Sequence, residues 1–375
     1  MPYHLKKFLI RISLLLTVIV TIAFLTLSFL TSLYKTIPAN IPFFSNVPMY
    51  KNKWQYIPPL EITHPNPAFT AAYITFVNGD KESLSSLRST MRNIEDQFNR
   101  HYHYPFIIFT VDEPSVEFKE LVSSTATGDV VFERVTISQY GYGNRTDQFR
   151  ASLSRKYLKD TPGNTEASRF KSRLMAGTIF KHESLFNLDY FWRFEPGTEY
   201  LCPISFDPFQ YMYDNGKQLS FSLSSYELHE TLPSIFDTVA EFKKENPQLF
   251  DENHDNKLWK AMTNKDGSYN RCSFWNSFQI VKTSFFTSKR YQSYFDFMDH
   301  KEGIFYERWS DSVIQSLGAA LFLNKTEVHF WESIGYRHQY QYQHCPNDKA
   351  IWEKCSCRPM HNFDNDGLSC LSKFV

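Results

Sequence analysis

Apolar runs alternate with amphipathic stretches through most of the chain, which predicts strands taking turns with helices. Residues 71–77 form a compact apolar run closed by Asn78-Gly79-Asp80. Behind it Leu84, Leu87, Met91, Ile94 and Phe98 recur at spacings of three and four, predicting a helix with Asp80 as its N-cap. Residues 104–111 and 130–135 read as the next two strands. Strand, helix, strand at this spacing predicts a right-handed βαβ opening and a mostly parallel sheet. Residues 141–163 are polar and contain glycines, predicting a long surface loop. Residues 168–186 have a helical pattern and lead into an aromatic run, residues 190–194, that predicts a buried strand. Further helices are expected at 232–250, 258–262, 291–298 and 311–323. Two more strands are expected at 273–280 and 328–336, with His338 on the loop just beyond the last.

The aromatic run stops at Glu195-Pro196-Gly197. Proline removes a backbone donor and glycine permits a tight turn, so the strand must end there. This leaves the Glu195 carboxylate at the C-terminal end of a core strand, where open α/β sheets hold ligands. A turn-capping acid is the plainer reading of the same residue. A divalent cation held beside a phosphate needs a carboxylate and an imidazole, and accepts water and substrate oxygens at its other positions. Glu195 and His338, each placed directly after a core strand, suit that task. Asp364-Asn365-Asp366 also fits an Asp-x-Asp pattern, but no strand precedes it. Asp112-Glu113-Pro114 follows a strand and reads better as the start of a turn.

Residues 12–33 carry no charge and as a helix would extend about 33 Å, enough to cross a bilayer. Lys6, Lys7 and Arg11 precede this span and only Lys35 follows closely. The charge bias therefore predicts a cytosolic tail (1–11), a transmembrane signal anchor (12–33) and a luminal remainder. Repeated prolines over 34–67 predict an extended stem, partly laid on the surface of a folded domain spanning 68–375. Forty basic and forty acidic residues leave no net charge, which argues against a nucleic-acid partner. The aromatic fraction is 17 %, enough for a thick core and for stacking on sugars. All six cysteines lie beyond the anchor, and four (Cys345, Cys355, Cys357, Cys370) crowd into the tail. Disulfides are the favoured reading, with pairing open, over a zinc site for which the spacing is poor. Asn144 and Asn324 head N-glycosylation sequons that a luminal domain would expose to modification.

Four segments, 190–202, 272–280, 305–311 and 328–338, together with residues 98–105 and the cysteine-rich tail, resemble the fungal type II membrane α-1,2-mannosyltransferases. The resemblance runs from about residue 68 to the C-terminus. It implies a GT-A-like α/β glycosyltransferase fold and retaining transfer of mannose from GDP-mannose, assisted by Mn²⁺. The implied acceptors are mannose-terminated O- or N-linked glycans of glycoproteins in the Golgi or ER, in company with other Golgi transferases. By the same resemblance Glu195 and His338 are the metal ligands, and Asp311 belongs to the donor site.

Two positions depart from the family pattern. Gln279 stands where the family carries the glutamate that is its candidate nucleophile, and an amide cannot replace a carboxylate in that role. Ser168 stands where the family carries a tyrosine, in a run whose Arg169 and Arg173 remain as candidate phosphate contacts. These departures keep open a second reading, a transferase-fold protein that binds glycans or partner proteins with impaired catalysis. Glycoside hydrolysis would need two facing carboxylates, and Gln279 argues against it.

Overall fold

The central strands are buried on both faces, so the sheet they build lies between two hydrophobic cores. The computed structural model describes residues 17, 19–28, 54–250, 256–339 and 342–375. Two units are separated, 1–53 and 54–375. In the first, Thr17 and residues 19–28 are helical. Among the described residues no helix is long and apolar enough to cross a membrane. Half of the anchor expected at 12–33, namely residues 12–16, 18 and 29–33, falls outside them.

In the second unit twelve strands are present among the described residues: β1 (Ala71–Phe76), β2 (Phe106–Thr110), β3 (Val130–Arg134), β4 (Tyr190–Phe194), β5 (Thr198–Tyr200), β6 (Leu219–Phe221), β7 (Ser224–Tyr226), β8 (Cys272–Phe274), β9 (Phe278–Lys282), β10 (Val328–Phe330), β11 (Tyr336–His338) and β12 (Tyr342–His344). Seven of them form the central sheet in the order β10-β6-β9-β4-β1-β2-β3. Its neighbours pair in parallel except at β9, which runs antiparallel to β4 and to β6. The mostly parallel sheet is therefore present. A second sheet, β12-β11-β5, is antiparallel, and β7 and β8 form a short ribbon.

The opening βαβ unit follows the expectation. Asp80 caps helix Lys81–Gln97 by accepting from the Ser83 amide at 2.8 Å, a contact worth about 1 kcal/mol. Along β4, Tyr190, Trp192 and Phe194 enter the core on the side of that helix, while Phe191 enters the core on the opposite side. Each fully buried Phe contributes about 1.5–3 kcal/mol of apolar transfer, and Phe191 and Phe194 are both 0 % exposed. Arg193 shares the Phe191 face and is buried, a charge placed inside a core strand.

Several expectations need correction. Residues 273–280 form no single strand: Trp275, Asn276 and Ser277 break it into β8 and β9, freeing those three side chains from the ladder. Residues 328–336 likewise split into β10 and β11, and His338 ends a strand instead of sitting on a loop. The expected loop at 141–163 contains helix Gln148–Tyr157, capped by Asp147. The helix expected through 186 stops at Ala176, where Gly177 lets Phe295 approach so closely that a Cβ would lie 2.1 Å from its ring.

Residues 54–67, read as the end of a stem, fall within the second unit, and part of them lies along β3. The Tyr56 hydroxyl donates to Val130 O at 2.9 Å, its ring meets Phe132 edge-on, and the Thr63 amide donates to Asp129. The cysteines pair as Cys202–Cys355, Cys272–Cys370 and Cys345–Cys357, leaving none for zinc. Asp364 of the Asp-x-Asp decoy is held 2.6 Å from His344 Nδ1, a contact that pins the tail. Glu113 pairs with Lys119 at the surface.

Candidate functional site

A cleft of about 650 Å³ opens beyond the C-terminal end of β4. The segment after β4 supplies Glu195, the end of β7 supplies Glu227, and the break between β8 and β9 supplies Trp275, Asn276 and Ser277. Helix Asp311–Phe322 presents its first residue, β11 presents His338, and helix Glu166–Ala176 presents Ser168, Lys171 and Ser172. Phe363 and Leu368 of the disulfide-tied tail complete one wall. Glu195, His338 and Asp311, far apart in sequence, therefore share one cavity.

Arg193 organises its floor. One guanidinium nitrogen donates to Glu195 Oε1 at 2.9 Å and the other to Asp311 Oδ2 at 2.7 Å. Lys171 Nζ meets the second Glu195 oxygen at 2.5 Å. Burial pushes the Glu195 carboxyl up, but Lys171 and Arg193 more than offset it and hold the group at about 2. Glu195 is thus an anion at any physiological pH. Burial likewise works against the Arg193 charge, and Asp311 and Glu195 outweigh it.

His338 packs edge-on against Trp275 at 5.1 Å, and its Nδ1 is buried with no hydrogen-bond partner among the described residues. Burial lowers its pKa, with Glu195 acting in the opposite sense, so the ring is a neutral imidazole near pH 7. A neutral imidazole with an unsatisfied nitrogen, in the same cavity as a permanent carboxylate, is a donor set that fits a divalent ion. Among the described residues the only clustered trio of ligand-type side chains is Cys202, Cys355 and Cys357, whose sulfurs are in disulfides. An ion at Glu195 and His338 would therefore take its remaining ligands from water or from the substrate.

Three residues expected in the site lie elsewhere. Arg169, 1 % exposed, donates to Ile304 O and Asn164 Oδ1, both at 2.6 Å. Arg173 makes a bidentate pair with Asp299, at 2.8 Å for each bond, and donates to Ser138 O. Neither guanidinium lines the cleft, so the expected phosphate contact through them is corrected. The cause is helical phase. Positions 169, 173 and 176 form one buried stripe, which turns 168, 171 and 172 to the cavity.

Gln279 is also buried, at 2 %, and donates to Gln315 Oε1 at 2.8 Å. Gln315 also accepts from Asn276, which donates to Asp311 at 2.8 Å. Gln279 thus stands one layer beneath the cleft and supports Asp311 through a relay of amides. Asn144 is exposed, whereas the Asn324 amide is half-buried and donates to Glu327.

Four charged cleft residues escaped the sequence reading. Arg193 carries a signal, a charge interrupting an aromatic strand, whereas Lys171 carries none, because nothing in its neighbours reveals that Glu195 lies opposite. Arg308 takes a left-handed backbone, φ 75°, and its Nη1 is buried without a partner among the described residues, leaving a cation facing the cavity. Glu227 accepts from Ser273 and Ser310 and is pushed up by burial, partly offset by Arg308. No motif announces it.

A family profile described as glycolipid 2-alpha-mannosyltransferase matches residues 46–375. The glycolipid 2-alpha-mannosyltransferase 1 of Candida albicans is 35 % identical over 314 residues, covering 82 % of this chain and 72 % of its own. An O-glycoside alpha-1,2-mannosyltransferase of Schizosaccharomyces pombe is 35 % identical over 314 residues, covering 83 % and 79 %. Among solved structures, core-mannan synthase A from Aspergillus fumigatus in its Mn/GDP form is 27 % identical, with a TM-score of 0.71 and coverage of 81 % of this chain and 86 % of that one. A Saccharomyces cerevisiae mannosyltransferase in complex with GDP, at 24 % identity and TM-score 0.76 over 86 % of each chain, has the same α/β glycosyltransferase fold.

Proposed function

Since the chain belongs to the glycolipid 2-alpha-mannosyltransferase family, we propose that it is an α-1,2-mannosyltransferase taking mannose from GDP-mannose. The acceptors are mannose-terminated O- or N-linked glycans, and the anomeric configuration is retained. The observation that carries this reading is the convergence of Glu195 and His338 on one cavity, with His338 Nδ1 buried and unpartnered. Both named relatives are 2-alpha- or α-1,2-mannosyltransferases, and the Aspergillus fumigatus structure holds Mn and GDP.

Glu195 and His338 would hold the divalent ion, Mn²⁺ in our reading. Bound there, it supplies positive charge to the diphosphate leaving group. Arg308 offers a second cation on the cleft wall, and its unpartnered nitrogen suits a phosphate oxygen. Arg193 fixes the Glu195 and Asp311 carboxylates so that neither needs to reorganise when donor arrives. Trp275, Tyr342 and Phe363, in mutual ring contact on one wall, give a sugar ring an apolar face to lie on.

The competing reading, a glycan-binding protein with impaired catalysis, leaned on Gln279 and Ser168. Gln279 faces Gln315 and not the cleft, so its missing charge does not by itself disable the cavity. We further propose that residues 12–33 anchor the protein in a Golgi or ER membrane with the folded unit luminal, beside other transferases, and that Asn144 is glycosylated there.

The test is direct. Incubating the full-length protein with GDP-mannose, Mn²⁺ and α-methyl mannoside should yield an α-1,2-linked disaccharide, and GDP binding measured by calorimetry should depend on Mn²⁺. Equal GDP affinity with and without metal, or no disaccharide from folded protein, would overturn the reading.

A further inference from the structure

Both oxygens of Glu195 carry a cationic partner, and the two partners differ in kind. Arg193 is 4 % exposed at its side chain and is locked by a second carboxylate, Asp311. Lys171 is 34 % exposed at its side chain and reaches Glu195 Oε2 from helix Glu166–Ala176, with no other acceptor for its ammonium among the described residues. The ammonium is therefore a single charge on a flexible stem, standing on the carboxylate that a divalent ion would use.

We propose that Lys171 is a resident cation of the donor site: it occupies the Glu195 carboxylate before metal binds and passes to the diphosphate of the incoming nucleotide. The inference rests on the reading of the cleft as a metal-assisted GDP-mannose site. The charges around the cavity favour it. Lys171, Arg193 and Arg308 face Glu195, Glu227 and Asp311, so the empty-handed cavity is balanced, whereas a diphosphate adds negative charge that needs a mobile cation. Arg193 cannot move without stranding two buried carboxylates, and Lys171 can. Two consequences follow with opposite signs. Lys171 competes with the metal for Glu195, and it lends the nucleotide some affinity when no metal is present.

The experiment measures two equilibria on the full-length protein and its Lys171→Met and Lys171→Arg variants. GDP binding is followed by calorimetry in EDTA and again in Mn²⁺, and Mn²⁺ binding without nucleotide is followed by electron paramagnetic resonance. Lys171→Met should weaken metal-free GDP binding about tenfold and tighten Mn²⁺ binding about tenfold, while Lys171→Arg keeps the metal-free GDP affinity within about threefold. Wild-type protein that binds GDP with Mn²⁺ while Lys171→Met leaves either equilibrium unchanged overturns the role of Lys171 alone. Wild-type protein that fails to bind GDP even with Mn²⁺ overturns the donor-site reading and this inference with it.

Discussion

Arg193 and Asp311 lie 118 positions apart in sequence and meet at 2.7 Å, Nη1 to Oδ2, beneath the cleft. Because the same guanidinium also holds Glu195, removing it strands two carboxylates in a largely buried place. Arg193→Met should destabilise the protein by about 3–5 kcal/mol, the usual cost of breaking a buried pair on one side. Asp311→Asn, which keeps an acceptor for Arg193, should cost less, about 1–2 kcal/mol. Urea denaturation followed by circular dichroism checks both. Equal and small losses would mean that Arg193 does not organise the floor.

The amide of Gln279 donates to Gln315, whose own amide donates to Met175 O at 2.7 Å. A carboxylate at 279 would set two acceptors face to face in a buried layer. Gln279→Glu should therefore lose about 1–3 kcal/mol of stability with no gain in the transfer rate. A faster Gln279→Glu enzyme of unchanged melting temperature would return this position to the reacting atoms.

Glu227 titrates in the opposite sense to a paired surface acid. Burial raises its folded pKa above its unfolded value. Between those two values the folded state binds more protons, so its ionisation weakens the fold as pH rises. Glu227→Gln keeps the serine contacts and removes the buried charge. Its melting temperature should exceed wild type at pH 7, and the gap should close as pH falls through the folded pKa towards the ordinary carboxylate range. A gap that is constant from pH 4 to 8 would show that the carboxylate is not held in a desolvated place. Transfer activity of the variant, measured alongside, should fall if Glu227 touches substrate.

Cys272–Cys370 closes a loop of 98 residues and ties the tail, including Phe363 and Leu368 of the cleft wall, to β8. Replacing the pair by serines should cost about 2–5 kcal/mol and weaken GDP binding as the wall loosens. Unaltered affinity in a folded variant would show that the wall does not bear on the nucleotide.

Much of this was legible from side-chain pattern. The aromatic run at 190–194 is β4 to the residue, and Glu195 follows it because Pro196 and Gly197 allow nothing else. Glu195 and His338 were named from their place after predicted strands and Asp311 from the family resemblance, and the three share a cavity. Direction was not legible. Arg169 and Arg173 have the right chemistry for a phosphate, yet sit on the inward stripe of their helix. Lys171, on the outward side, was passed over because nothing in its neighbours reveals that Glu195 lies opposite. Nor does the sequence say that β9 runs against the sheet, a reversal that places Gln279 in register with Arg193 rather than beside a ligand.

Phe363 and Leu368 lie far along the chain from the parallel strands whose cleft they help to wall. Without the Cys272–Cys370 bond the parallel strands β1 to β4 could still pair, but the cleft would be loosely closed on that side. Cys370 must find Cys272 before the cleft has its full wall. A closed cleft thus marks an oxidised molecule, which ties the completeness of the site to the redox state of the compartment in which the chain folds.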